Sequence, residues 1–464
     1  MDAVATLWNE AGLPGDALPW LALEGEDPVL PSSFAIGRAA ASVIGAAGLA
    51  AALLWRERTG RLQRVGVAVR DAALEFRSER LLRVDGQPAP ELWDRIAGLY
   101  PTRDGYVRIH TNFPHHRDGF LALLGCAYAR EAVAAALARW EAVEFEDAAA
   151  ERGLPVAAHR TASEWARHAQ AGAVAALPTV EVVALGEAPA EPLPAGGDRP
   201  LAGVRVLDLT RVIAGPVCGR TLAAHGADVL AITAPYLPFM LPTVMDCNRG
   251  KRTAFLDLRR PEDRAQLDAL VREADVFVQG YRPGALAHLG YGPERLAELR
   301  PGLVCVSLSA WGRAGPWAGR RGFDSLVQTA SGLNADEAAA AGAAEPRPLP
   351  AQALDHGAGH LMAFGAMAAL HRRATRGGTW HVQVSLARTA LWLRELGRVP
   401  GGTDASAPDS GDILEASASG FGRLLAVRHA ARLAETPARY GRPSMPLGTD
   451  APAWPKRARA PDDR

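Results

Sequence analysis

The chain has 464 residues, 48% of them hydrophobic and 22% charged, the proportions of a globular protein large enough for two or three domains. Its 51 basic side chains balance 51 acidic ones, so it lacks the basic footprint of a protein that binds nucleic acid or acidic membranes. Cys126, Cys218, Cys247 and Cys305 stand far apart, which predicts neither a zinc site nor a disulfide framework and makes a reducing cytoplasm the expected setting.

Residues 1–31 form an acidic N-terminal segment, poor in apolar residues at its start and unlike a secretory signal. Ala39 to Trp55 could pass for a membrane span, but it is mostly Ala and Gly and is flanked by Arg38 and Arg56-Glu-Arg58; a closely packed helix is expected. That helix opens a unit over residues 32–95: a basic turn at Arg56–Gly60, a strand with Val65 and Val67, and a helix with Ala73 and Leu74. The same features recur as Arg373–Gly377, Val382, Val384, Ala390 and Leu391, at a constant offset (377 − 60 = 317). The chain therefore carries the unit twice.

Residues 96–187 are expected to form a small α+β domain. Leu99 to His110 reads as a turn and strand, Asp118 to Cys126 as a helix, and Arg130 to Ala150 as further helix. A Pro/Gly/Glu-rich linker follows over 188–200. From Leu201 the pattern changes to apolar strands at Val204–Leu209, Val229–Thr233, Thr253–Leu258, Val276–Gly280 and Val304–Ser309. Helical patterns end at Gly226 and span Glu262–Glu273 and Pro283–Leu299. This alternation predicts an α/β fold, a Rossmann-like parallel sheet covered by helices over residues 201–400, with the second copy of the unit inside it. Ligands of such sheets bind at the carboxyl ends of the strands, so the turns after Leu209, Thr233, Leu258 and Gly280 are the places to look. No G-x-G-x-x-G follows Leu209, which argues against a dinucleotide cofactor. Residues 401–464 form a C-terminal segment, with Ala453–Arg464 as a loose tail.

Asp355 stands at the head of the second Ala/Gly-rich helix, in Ala353-Leu-Asp-His-Gly-Ala-Gly-His360. On its residues alone it is either an ordinary helix cap or a reactive carboxylate whose charge the helix N-terminus stabilises, with Gly357 and Gly359 letting the backbone approach a ligand. His356 and His360 lie one helical turn apart, but no third partner stands near them in sequence, so no metal site is assigned. His110, His115 and His116 are either solvated loop residues or substrate-facing groups.

A run of motifs gives these elements a context: Leu201–Pro216, Gly226-Ala-Asp-Val229, Asn248-Arg-Gly-Lys-Arg252, Leu256-Asp-Leu258, Ala274-Asp-Val276, Tyr281-Arg-Pro-Gly284 and Gly322-Phe-Asp324. In this order and spacing the chain resembles the family III CoA-transferases, which include formyl-CoA and carnitine CoA-transferases and the alpha-methylacyl-CoA racemases. The resemblance implies that family's fold, and a reaction that moves CoA between an acyl-CoA thioester and a carboxylic acid through an aspartyl anhydride and an aspartyl-CoA thioester. It implies Asp355 as nucleophile and Val212, Ile213, Ala214, Leu256, Arg259, Ala285 and Arg321 as contacts of CoA, which is a substrate here and not a permanently bound cofactor. The charge balance leaves no nucleic-acid or membrane partner expected, and the resemblance allows a homodimer of interlocked chains. Two departures stand out. Thr233-Ala234 replaces the charged pair that usually follows the second strand, and Phe323 stands where the racemases carry His, favouring transfer over racemisation. An acyl-CoA racemase or isomerase, or a non-catalytic CoA-binding relative, is the alternative.

The order of parts also departs from the family, where the unit occurs once, after the sheet domain. A tandem gene that lost its first sheet domain and its second small domain would leave the order found here. The offset that relates the copies takes Asp355 to position 38, which is Arg38 and offers no nucleophilic carboxylate, so one active site per chain is expected.

Overall fold

The computed structural model describes residues 2–456; Met1 and residues 457–464 of the expected tail lie outside the described residues. Among these residues the main sheet has seven strands in the spatial order Lys251–Phe255, Asp228–Thr233, Arg205–Leu209, Val276–Gln279, Val304–Ser309, Thr379–Ser385, Glu181–Gly186. The first six pair in parallel, and Glu181–Gly186 closes the edge antiparallel to Thr379–Gln383. Strands such as Arg205–Leu209 are buried along their whole length because helices cover both faces, which is why their sequences read as apolar runs. Arg205–Leu209 lies between Asp228–Thr233 and Val276–Gln279, so the order of connections reverses on either side of it and a crevice opens at its carboxyl end.

Three boundaries differ from expectation. The edge strand Glu181–Gly186 belongs to the main sheet, and Gln170 binds the Trp311 and Ala314 carbonyls and the Trp317 N–H, so the small domain ends near Ala158 and not at residue 187. Its own sheet is Gly98–Pro101, Tyr106–Ile109 and Val156–Ala158, covered by helices Pro114–Leu124, Arg130–Leu137 and Ala142–Glu151. The third strand of the main sheet is Lys251–Phe255 rather than Thr253–Leu258, because the chain turns at Asp257, whose carbonyl accepts from the Arg260 N–H. The helix expected over Pro283–Leu299 is broken into a 3-10 turn, Ala287–Leu289, and a helix, Pro293–Leu299. Gly290 ends the turn at φ 90°, and Pro293 starts the helix.

The repeat is close along its long helices, though the chain leaves them differently, at ψ 0° after the first and −160° after the second. Its helices are Ile36–Thr59 and Ala353–Arg376, both 24 residues long, and their ends differ by the same 317 positions. Residues 35 and 352 adopt nearly the same conformation before them, and Gly60 and Gly377 end them at φ 74° and 76°. The two helices pack against each other in the principal core. Small residues also bring each helix close to its own copy's strand: a Cβ on Gly48 would lie 3.0 Å from Val65, and one on Gly365 would lie 2.4 Å from Val382. Ile36–Thr59 is long and apolar enough to cross a membrane, but it is buried within the protein.

Each copy's strand has equivalent neighbours. In the second copy Val382 sits between Val306 in parallel and Val182 antiparallel; in the first, Val65 sits between Leu21 in parallel and Leu433 antiparallel. The first copy thus keeps a three-stranded sheet of Leu21–Glu24, Val65–Ala68 and Arg432–Leu433. The C-terminal hairpin Leu414–Ser419 and Gly422–Val427 extends the first copy's Arg83–Val84 and Gln87–Pro88. The linker is irregular but tied down by Arg58, which donates to the carbonyls of Pro194, Gly196, Pro200 and Ala202.

Both long helices start against a carboxylate from elsewhere. Asp27 accepts from the N–H groups of Gly37 and Arg38 at 2.9 and 2.8 Å, and Asp324 accepts from Leu354 and Asp355 at 2.7 and 3.0 Å. These satisfy the second and third of the free amides at each helix start. Asp27→Ala is expected to destabilise the protein by about 1 kcal/mol, and Asp27→Asn, whose single oxygen replaces only one of the two acceptors, to recover only part of that loss; a denaturant midpoint unmoved by Asp27→Ala would deny the cap its role.

Candidate active site

At the reversal point of the sheet lies a cavity of about 340 Å³. Its floor is the turn after the first parallel strand, where Val212 has φ 75°, a strained conformation for a β-branched residue and one that the surrounding fold must hold in place. Ile213 and Ala214 continue this wall, and Ala214 begins the helix Ala214–Ala224, whose first amides have no side-chain cap. Tyr281, Arg282 and Ala285 enter from the turn after Val276–Gln279, and Arg321 and Phe323 from the long loop before Asp324. The small domain supplies the opposite wall through Phe113, His115 and His116.

Asp355 lies in the first turn of its helix, 8% exposed, with its side chain on the cavity. Its carboxyl oxygens have no hydrogen-bond partner among the described residues, whereas its backbone N–H is bound to Asp324. The expectation that the helix N-terminus stabilises the Asp355 charge is therefore corrected. The amides of Leu354 and Asp355 are taken by Asp324, whose other oxygen accepts from Gln328 and, in the orientation that satisfies its hydrogen bonds, from the Gln352 amide at 2.9 Å. Burial raises the Asp324 pKa to about 6, with the bonds from Asp355, Gln328 and Leu354 opposing it. Burial first, then the charges of Asp324 and Glu79, lift Asp355 well above the ordinary carboxylate range.

The glycines of this helix also serve a different purpose from the one expected. A Cβ on Gly359 would lie 2.5 Å from the Ala214 carbonyl, and one on Gly357 would lie 3.1 Å from Thr389. They bring the Asp355 helix close to its neighbouring helices, not to a ligand, and so fix Asp355 beside the Val212–Ala214 turn.

Of the residues singled out from sequence, Val212, Ile213, Ala214, Ala285, Arg321 and Asp355 line this one cavity. Leu256 and Arg259 do not. Leu256 is buried against Leu207 and Leu230 in the second core, and Arg259 binds Asp257 and stacks over Tyr236 at 3.6 Å, outside the cavity. Thr233 borders a separate groove of about 50 Å³ beside Asp208 and Lys251. His115 and His116 begin the helix Pro114–Leu124 and are not loop residues. Arg321 donates to His116 Nε2 at 2.9 Å, and burial, followed by His115 and His110, lowers the His116 pKa to about 2. His110 is buried with its ring stacked on Phe323 at 3.7 Å.

The sequence reading missed what the first copy brings to this site. Glu79 Oε2 is 2.9 Å from His356 Nε2, and Glu75 is 3.8 Å from His360, so two carboxylates one turn apart face two histidines one turn apart. Arg80 donates to the Pro350 carbonyl and faces the Gln352 amide oxygen at 3.2 Å. The first copy therefore braces the turn that carries Asp355.

Residues 17–192 and 201–398 match CoA-transferase family III. The chain is 35% identical over 204 residues to the acetyl-coenzyme A transferase nodX of Hypoxylon pulicicidum, covering 43% of this chain and 34% of that protein. It is 34% identical over 209 residues to the probable fatty acyl-CoA transferase Rv3272 of Mycobacterium tuberculosis, covering 42% and 52%. A 29% identity over 366 residues to an acyl-CoA transferase of Gibberella moniliformis covers 69% and 64%. The crystal structure of Rv3272 superposes with a TM-score of 0.40 at 33% identity, over 42% of this chain and 56% of that one. The chain spans about a third to a half of the length of the first two relatives. Matched on both sides of its linker, this chain belongs to CoA-transferase family III.

Proposed function

We propose that the protein is a CoA-transferase that moves CoA between an acyl-CoA thioester and a carboxylic acid, with Asp355 as nucleophile. The observation that carries this reading is the Asp355 carboxyl itself: among the described residues its oxygens have no hydrogen-bond partner, and Asp355 borders the cavity at the switch point of the sheet. Support also comes from the relatives, whose names include succinyl-CoA–D-citramalate and formyl-CoA:oxalate CoA-transferases.

In this reading the Asp355 carboxylate attacks the thioester carbonyl and expels CoA thiolate, leaving an acyl-aspartyl anhydride. The thiolate then attacks the Asp355 carbonyl, which releases the first acid as a carboxylate and forms an aspartyl-CoA thioester. An incoming carboxylate attacks that thioester, thiolate leaves, and its return to the acceptor's carbonyl gives the new acyl-CoA and restores Asp355. No proton or outside reagent is consumed, and each barrier is lower than that of a direct exchange between thioester and carboxylate. Val212, Ile213, Ala214, Ala285 and Arg321 lie along the CoA in this reading. Leu256 and Arg259, away from the cavity, would meet only its far end.

One site per chain follows from the unequal copies. At the position of Asp355 the first copy has Arg38, whose guanidinium donates to the Leu396 carbonyl. Its parallel strand Leu21–Glu24 reaches the capping Asp27 through a short turn, with no counterpart to the long loop that brings Arg321 and Phe323 to the cavity. Because the small domain of the same chain lines the cavity, the site does not need a second chain to complete it.

Three outcomes are expected. Incubation with acyl-CoA leaves a covalent adduct on Asp355, seen by mass spectrometry of the peptide; Asp355→Asn abolishes adduct and transfer while retaining CoA binding, and undiminished transfer by the purified variant refutes the mechanism. The raised pKa of Asp355 means that its reactive, ionised form grows as pH rises, so the acylation rate climbs with pH above the ordinary carboxylate range. Asp324→Asn keeps the cap but removes a repelling charge, and shifts that limb to lower pH; an unshifted limb would show that Asp324 does not set the Asp355 charge. Equilibrium titration finds one CoA per chain, and two equivalent sites would disprove the division of labour between the copies.

A further inference from the structure

Four neighbouring strands of the main sheet carry opposite chemistry on their two faces. Val278, Val306, Val382 and Val182 stand in register across them and form an apolar row against the principal core. The adjacent row, Gln279, Ser307, Gln383 and Glu181, points to the other face and is polar on every strand. A mostly parallel sheet is ordinarily covered by helices and apolar on both faces. On this second face Phe277 and Cys305 do pack with Leu296 in the second core, but the polar row beyond them floors a cavity of about 360 Å³. Leu177, Pro178, Pro283 and Pro293 give it apolar walls, and loop residues 312–319 border it. It shares Pro283, Leu308 and Ser309 with the Asp355 cavity, yet Asp355 does not line it.

The charges of this floor cancel. Arg313 donates to both Glu181 oxygens, at 2.7 and 2.8 Å. Burial lowers the His381 pKa to about 4 against the pull of Glu294 and Glu181, so its imidazole is neutral near pH 7, with Nε2 2.9 Å from the Ser307 hydroxyl. What remains is uncharged hydrogen-bonding capacity. Among the described residues the Gln279 side-chain amide has no partner, and Gln383 donates to Glu181 at 3.1 Å while its own oxygen accepts from nothing. The Ser309 and Ser385 hydroxyls accept from the N–H groups of Gly312 and Arg388 and keep their own protons to donate. Half-buried polar groups of this kind are met by a ligand or by water, and a charged ligand would find no countercharge here.

We propose that this cavity is a second binding site, for an uncharged molecule of monosaccharide size that bears hydroxyl and amide groups. Its volume falls in the range of small-molecule sites, and its make-up, apolar walls with a few fixed polar groups on one side, is theirs as well. The assignment does not rest on the CoA-transferase reading, because neither Asp355 nor the Val212–Ala214 turn touches this cavity.

The test titrates the full-length protein with N-acetylglucosamine, which is uncharged and carries both kinds of group, and with glucosamine and glucuronate as its cationic and anionic counterparts, by calorimetry or ligand-observed NMR. N-acetylglucosamine is expected to bind about tenfold more tightly than either charged sugar, and to stay bound at saturating CoA, since Gln279, Gln383 and Glu181 do not line the Asp355 cavity. Gln279→Leu removes an amide that no protein group relies on; it should weaken N-acetylglucosamine by about tenfold and leave CoA binding unchanged. Arg313→Gln leaves the Glu181 carboxylate without its cation and should turn the preference toward glucosamine. Displacement of N-acetylglucosamine by CoA, equal binding of the three sugars, or no binding at all overturns the assignment. Thermal melting checks each variant; should Gln279→Leu fail to fold, Arg313→Gln, at a half-exposed side chain, must still shift the preference toward glucosamine or the proposal fails.

Discussion

The close crossing of two small-residue helices fixes everything else in this protein. Ile36–Thr59 and Ala353–Arg376 are buried almost throughout, so neither has a polar face to orient it. Glycines set how closely each one packs on its further neighbours. Gly48 admits Val65 and Ala431, Gly365 admits Val182's neighbour Val382, and Gly359 admits the Ala214 carbonyl. The last contact sets Asp355, one turn earlier on the same helix, beside the strained Val212 turn. The Asp355 carboxyl, the proposed nucleophile, is thereby held by packing from the helix core and, among the described residues, not by bonds to its own oxygens.

The two copies show how far a shared backbone constrains function. Helix length, the conformation just before the helix, the parallel and antiparallel neighbours of the strand and the capping carboxylate are reproduced. The cap is repeated because the geometry of a helix start demands acceptors wherever it is buried. The Asp355 carboxylate is not repeated, because nothing in the backbone requires a carboxylate at position 38. The first copy has instead become support: Glu79 holds His356, Arg80 holds Gln352, and a buried cluster of Ser78, Arg220 and Asp246 joins it to the sheet domain.

Much of this was legible before any coordinates. The five strands of the sheet domain and the offset of 317 came from local patterns and from order along the chain, whereas Val212, Ile213, Ala214, Ala285, Arg321 and Asp355 were singled out by the resemblance to the family. The parts that escaped depend on distance in sequence. Asp324 is legible as part of a motif, but its hold on the Asp355 amide joins two segments across a loop; Glu79 meets His356 across 277 positions. Glycines at 357 and 359 gave the right expectation of close approach and the wrong partner, since sequence shows the absence of a side chain and not what fills the space. The edge strand Glu181–Gly186 falls within the span expected for the small domain, because a single short strand carries no mark of the sheet it will join.

The three-stranded sheet of the first copy has a mechanical consequence. Leu21–Glu24 and Arg432–Leu433 flank the same central strand, Val65–Ala68, so the polypeptide leaves one small sheet, builds both larger domains, and returns to it. Tension applied near these two segments would fall first on the short Arg432–Leu433 pairing, where only two residues are in register. That seam would open before load reached the buried helix pair. The Asp355 turn is thus insulated from forces on the flanking chain, as a keystone is from loads applied outside its arch.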